Sequence, residues 1–309
     1  MKVTLLAGGT GGARLAGGFQ ELLAPGDLSI VTNPGDDLDH WGLRICPDTD
    51  AVLFRLGGIF DEARGYGVVD DTSAVLDQMG RLGESTWFHL GDRDLAFHVF
   101  RTARLSQGRR LTDVIAELSR RLGIASHVLP ATDDSLRTFF VTDRGRLSFQ
   151  EYFVRERLHP KLEAIEFDGL EQARPAPEAR AAVEEADLVV IGPSNPLISI
   201  GPILSLLGPC LRPERTVAVT PLVGGRALKG PTAEMLRLLR GEATPERVAA
   251  EYRGQAGWFV LDAVDEDRRA QVEAVGCRVL VADTVMRDRE TTRALAGRIM
   301  AGIMDAEAH

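Results

Sequence analysis

Cysteine is scarce in this chain and follows no pattern. Only Cys46, Cys210 and Cys277 occur among 309 residues. An odd count at wide spacing, with no Cys-x-x-Cys, argues against a disulfide framework and against a thiolate zinc site. It suits a reducing cytoplasm. Long apolar runs are missing too: none approaches the ~18 residues that a membrane-crossing helix needs. The segment Met1–Gly9 is too short for a signal peptide and is expected to be a first strand. Positive charge is in deficit, with 36 Lys and Arg against 45 Asp and Glu, a net −9. That removes the cationic surface on which non-specific nucleic-acid binding runs. Small anions remain possible ligands, because a single cleft can be locally positive.

What is present is ordinary for a soluble globular protein: 44% hydrophobic and 26% charged residues. The length suggests about two domains, or one large α/β domain. Val3 to Ala7 is an apolar run that ends in glycines, and Leu15, Phe19, Leu22 and Leu23 recur at helical spacing after it. Leu28 to Thr32 reads as a second strand, so the pair is parallel with a right-handed crossover. Residues 50–125 read as mostly helical. Phe139–Thr142 and Leu147–Phe149 flank Asp143-Arg144-Gly145-Arg146, a hairpin signal near 138–149. Residues 161–182, with their charges, Pro175 and Pro177, read as a connection. Strands at Asp187–Gly192, Thr216–Thr220, Trp258–Leu261 and Cys277–Val281 then alternate with helices at Ile203–Leu207, Met235–Leu239, 266–275 and 288–304. The expected fold is α/β, a doubly wound and mostly parallel Rossmann-like sheet. Residues 1–50 and 185–309 are expected to form its nucleotide-binding core, and 51–184 a largely helical insertion or cap.

Six loops are candidates for chemistry. Gly8-Gly9-Thr10-Gly11-Gly12 follows the first strand. Its glycines let backbone amides approach an anion at a helix N-terminus. It is no P-loop, and Arg14 stands where the third glycine of the dinucleotide fingerprint belongs. The competing role is a turn shaped for close helix–sheet packing. Asn33-Pro34-Gly35-Asp36-Asp37 follows the second strand. Its carboxylates suit a ribose, a base or Mg²⁺, or else a capped turn. In Cys46-Pro47-Asp48-Thr49-Asp50, two carboxylates two residues apart can share a hard cation or hold a substrate hydroxyl. His89-Leu90-Gly91-Asp92-Arg93-Asp94 offers Arg93 as a clamp, or simply an acidic helix start. Gly192-Pro193-Ser194-Asn195-Pro196 is a rigid polar loop after another strand. Near Pro221–Gly225, Lys229 reads as a solvated lysine within reach of a phosphate. His98, His127 and His159 lack partners at ligand spacing and read as ordinary residues.

Gly8–Gly12, Pro47–Asp50, Asp70-Asp71-Thr72, Leu90–Asp94, Gly192–Pro196 with Ser199-Ile200-Gly201-Pro202-Ile203, and Ala282-Asp283-Thr284 occur in this order along nearly the whole chain. Together they resemble the 2-phospho-L-lactate transferase (CofD) family of coenzyme F420 biosynthesis. The resemblance implies a reaction. A guanosine diphosphate ester of lactate or phosphoenolpyruvate gives its acyl-bearing phosphoryl group to the ribityl hydroxyl of the deazaflavin FO (7,8-didemethyl-8-hydroxy-5-deazariboflavin). GMP is released, and F420-0 or its dehydro form results. It also implies Mg²⁺ and a homodimer. Carried onto this chain, it puts Asp50 and Arg93 at FO. Gly9, Thr10, Gly11, Gly12, Arg14, Asn33, Ser194 and Asn195 fall on the donor side. Asp36, Asp37 and Asp48 fall at the metal, with Asp48 and Asp50 as the catalytic carboxylates. One departure is Ala13-Arg14-Leu15, where archaeal members tend to carry Pro-Lys. The Arg- and Ala-rich composition looks bacterial and tilts the donor toward the phosphoenolpyruvate ester. Two other readings compete: a nicotinamide-dependent oxidoreductase, against which Arg14 counts, and a nucleotide-sugar-binding regulator that catalyses nothing.

Overall fold

Seven short apolar runs pair in parallel as one sheet. From edge to edge they are Arg278–Ala282, Trp258–Asp262, Thr216–Val219, Leu188–Ile191, Val3–Ala7, Leu28–Thr32 and His127–Pro130. The computed structural model describes residues 1–228 and 230–307; Lys229 lies outside the described residues. The central strands are buried on both faces, which is why they read as unbroken apolar runs. Alternate side chains enter opposite cores. Leu5, Ile30 and Val190 pack with Ala13, Leu15 and Phe19 of the helix Gly9–Gln20, Leu53 of Pro47–Leu56 and Ile299 of Arg289–Glu307. Leu6, Val31 and Ile191 pack with Val183 of Pro177–Glu184, Ile203 of Gly201–Leu207 and Leu236 of Thr232–Arg240.

The strand order reverses between Val3–Ala7 and Leu188–Ile191. In doubly wound sheets, ligands bind beyond the carboxyl ends of the strands at such a point. Gly8 alone joins Val3–Ala7 to the helix Gly9–Gln20, the loop after Leu188–Ile191 is Gly192–Asn195, and the loop after Leu28–Thr32 begins at Asn33.

Residues 51–184 do not form a helical insertion alone. Helices Ala74–Arg81, Asp92–Leu105 and Leu111–Arg121 are there, but His127–Pro130 joins the main sheet as its edge, paired in parallel with Ser29–Thr32. The hairpin appears as Arg137–Thr142 with Gly145–Ser148. Its third strand, Leu162–Asp168, lies in the stretch expected to be a connection. Exposed Glu163, Glu166 and Asp168 sit on the open face of that strand and disguise it.

Candidate active site

The helix Pro47–Leu56 starts with Pro at its first turn and carries Asp48 and Asp50 there, where the helix dipole favours negative charge. Both carboxylates are buried. Asp48 accepts from Asn33 Nδ2 at 2.9 Å. Gly9 has φ 61°, a left-handed conformation, and a Cβ there would meet Asp48 at 3.1 Å. Asn33 is itself fixed, since its Oδ1 accepts from Gly35 N at 2.8 Å. Asp36 lies against Asp48. Burial, then the neighbouring Asp48 charge, hold the Asp36 carboxyl well above the usual carboxylate range. Burial also pushes Asp48 up to about 6, against the hydrogen bond from Asn33. Asp36 Oδ1 is buried with no hydrogen-bond partner.

Asp37 points elsewhere. Its Oδ2 accepts from Cys46 Sγ at 3.1 Å, and Arg44 and Arg101 lie near it; burial raises it to about 7. Of the three acids expected at a metal, the fold therefore pairs Asp36 with Asp48 and sends Asp37 toward Asp50. No group of three or more His, Cys, Asp or Glu at ligand spacing occurs among the described residues. Two carboxylates with an orphaned oxygen still fit Mg²⁺, which takes one or two carboxylates and completes its shell with phosphate and water.

A cavity of about 510 Å³ opens beside this pair. Asp48, Asp50, Gly9 and Thr10 line one side; Phe54, Phe60, Tyr66, Trp87, Phe88 and His89 give it aromatic walls. Asp94 and His98 close another side. Asp50 Oδ1 is ion-paired with Arg101, and Asp50 Oδ2 is buried without a hydrogen-bond partner. Arg101 is fully buried; burial opposes its charge, and Asp50 together with Cys46 and Asp37 more than offsets this.

The other expected site residues make contacts within the fold. A Cβ on Gly12 would lie 2.8 Å from Ala7 Cα, and Gly8 and Gly11 pack against the backbone of Ser199 and Pro193. These three glycines serve close packing of helix, strand and loop. Ser194 Oγ donates to Gly8 O. Asn195 Oδ1 accepts from Leu197 N at 2.9 Å, capping the turn that follows. Arg14 donates to Met286 O at 2.6 Å and pairs with Glu62 at 3.1 Å, away from the cavity lining. Arg93 is exposed, and its Nη1 donates to Val69 O at 3.1 Å. The Asp-rich segments at 70–72 and 90–94 cap each other. Asp71 accepts from Arg93 N at 2.7 Å and Asp94 N at 3.0 Å, while Asp92 accepts from Ala74 N at 3.0 Å and Val75 N at 2.9 Å.

Sequence reasoning missed Asp94, His98 and Arg101 as members of the site, and the aromatic wall at Trp87–His89. The available signal was polar residues at i, i+4 and i+7 of one helix.

The family description "2-phospho-L-lactate transferase CofD" matches residues 3–295. The chain is 37% identical to a phosphoenolpyruvate transferase of Kitasatospora aureofaciens, over 97% of each chain. It is 34% identical to a 2-phospho-L-lactate transferase of Methanosarcina barkeri, over 97% of this chain and 98% of that one. A solved UPF0052-family protein from Bacillus halodurans shares the fold, with a TM-score of 0.61 at 14% identity over 97% of this chain and 98% of that one. No described helix is long and apolar enough to cross a membrane. The family match spans the glycine loop, the buried acids and the sheet that carries them: the chain belongs to the 2-phospho-L-lactate transferase CofD family.

Proposed function

We propose that this transferase moves a phospholactyl or phosphoenolpyruvyl group from a guanosine diphosphate ester to the ribityl hydroxyl of the deazaflavin FO, releasing GMP. The observation that carries this reading is one cavity with aromatic walls on one side and buried, incompletely satisfied carboxylates on the other. A planar deazaflavin suits the aromatic wall, and its polyol chain then leads toward Asp50. The donor's diphosphate suits the side formed by Gly9, Thr10 and Asp48.

Asp36 and Asp48 would hold a Mg²⁺ ion. When bound, the ion supplies charge neutralisation for the transferred phosphoryl group. Asn33 fixes Asp48 in place, and Asp50 Oδ2 is free to accept a hydrogen bond from the attacking hydroxyl. The acceptor oxygen bonds to phosphorus as the bond to the GMP phosphate breaks; GMP leaves with the bonding electron pair, and the hydroxyl proton passes to Asp50 Oδ2 or to solvent. Positioning and electrostatics carry such a transfer. Similar identities to relatives of both names, 34% and 37%, leave two candidate acids.

The test is an endpoint mass assay with FO, Mg²⁺ and each guanosine ester in turn. A mass gain on FO with GMP release is expected, and the saturation of the product names the acid. No product from a folded, nucleotide-binding protein would point instead to a nucleotide-sensing regulator.

A further inference from the structure

The helix Asp92–Leu105 turns a polar face inward. Asp94, His98 and Arg101 recur at i, i+4 and i+7, the stripe that a surface helix normally gives to apolar side chains. His98 is 1% exposed and Arg101 0%. A buried guanidinium is costly to desolvate unless its donors are engaged. Arg101 engages three acceptors: Asp50 Oδ1, Arg44 O at 3.1 Å and His98 Nδ1 at 3.2 Å. An arginine only donates, so His98 Nδ1 must accept, and the ring proton belongs on Nε2. That nitrogen lies 3.1 Å from Asp94 Oδ1. His98 Nδ1 is also 3.7 Å from Asp50 Oδ2, the carboxylate oxygen without a hydrogen-bond partner at the cavity. Asp94 thus sets the ring, the ring sets Arg101, and Arg101 sets Asp50.

Resting on the transferase reading, we propose that His98 and Arg101 are positioning residues that fix the Asp50 carboxylate so that Oδ2 meets the acceptor hydroxyl. Arg101 occupies one oxygen and leaves the other for substrate. His98 gives the guanidinium its third anchor; an apolar side chain there leaves Nη1 with Arg44 O alone, and Asp50 turns with the loosened arginine. Neither residue needs to touch FO.

The test pairs His98→Ala and His98→Asn with Asp50→Asn. FO binding is read by fluorescence titration without donor, and turnover by steady-state kinetics. His98→Ala is expected to weaken FO binding about tenfold and to lower kcat by up to about 100-fold, with donor KM unchanged. Asn at 98 offers an oxygen to Arg101 and is expected to restore most of both. In the Asp50→Asn background, His98→Ala is expected to add nothing, because its effect runs through Asp50. Additive losses in that cycle, or no rescue by Asn, would overturn the proposal and leave His98 a packing residue. Wild-type protein that binds FO but transfers from neither ester would remove the reaction, while the same cycle in FO affinity still decides the positioning role. Wild-type protein that does not bind FO overturns both.

Discussion

The crevice between strands Val3–Ala7 and Leu188–Ile191 and the cavity beside the helix Asp92–Leu105 meet at Gly9 and Thr10, but they use their polar groups in opposite ways. In the crevice, Ser194 is bonded to Gly8, Asn195 to its own turn, and three glycines bring backbones into contact. Around the cavity, Asp36 Oδ1 and Asp50 Oδ2 are buried without hydrogen-bond partners. Buried polar atoms are nearly always satisfied, so their concentration at one place marks where a ligand completes the structure. On the proposed function, the crevice builds the frame and the cavity holds the chemistry.

The sharpest way to break that division is at Asp50. Asp50→Asn is expected to lower turnover on the order of 1000-fold, with circular dichroism unchanged. Asn keeps an oxygen for Arg101, whereas Ala leaves a buried guanidinium unpaired and costs about 3–5 kcal/mol of stability. Turnover within a few-fold of wild type in Asp50→Asn would move the chemistry out of the cavity.

The crevice is tested by steric change. Gly12→Ala puts a methyl against Ala7 and is expected to cost about 1–3 kcal/mol in chemical denaturation. Gly17, on the same helix, has nothing within 4 Å of its Cβ direction, so Gly17→Ala is expected to stabilise by about 0.5–1 kcal/mol. If Gly12→Ala instead kept full stability and lost donor affinity, the glycine loop would be a phosphate cradle after all.

These contrasts also explain what the sequence made legible. Leu188–Ile191 and Val3–Ala7 announced themselves because a parallel strand buried on both faces is apolar throughout. Leu162–Asp168 stayed hidden because one of its faces is open and charged, and His127–Pro130 because it is short and ends in proline. Asp48 and Asp50 were visible as two carboxylates two residues apart. His98 and Arg101 were not, since a charge on an amphipathic helix reads as solvated until packing shows that it faces inward. The glycines read two ways for a related reason: close backbone approach to a ligand and to another loop demand the same residue.

The buried acids give a third, smaller effect. Burial raises Asp48 to about 6 and Asp37 to about 7, so the folded state keeps protons that the unfolded state gives up. Metal-free stability is therefore expected to fall as pH rises from about 4 through about 7. Mg²⁺ needs the ionised carboxylates, so its stabilisation runs the other way and grows with pH. At roughly tenfold excess over Kd, it is expected to raise Tm by about 2–4 °C at pH 8 and by less at pH 5.5. Asp48→Asn is expected to remove the increment. An equal rise at both pH values, or one that survives Asp48→Asn, would place the ion elsewhere.

The smallest effect belongs to Arg93, which separates the two regions by distance. Its guanidinium holds Val69 O at the end of the segment whose Gly65, Tyr66 and Gly67 line the cavity. Loss of that hydrogen bond loosens the aromatic wall without touching the acids. Arg93→Ala is thus expected to raise the acceptor KM about three- to tenfold, near 1 kcal/mol, with donor KM and kcat unchanged. The effect stays small because Asp71 still caps the helix through the Arg93 and Asp94 amides, which substitution of the side chain does not remove. A rise in donor KM with acceptor KM held would reverse the assignment, putting the guanosine ester against the aromatic wall and FO against the glycine loop.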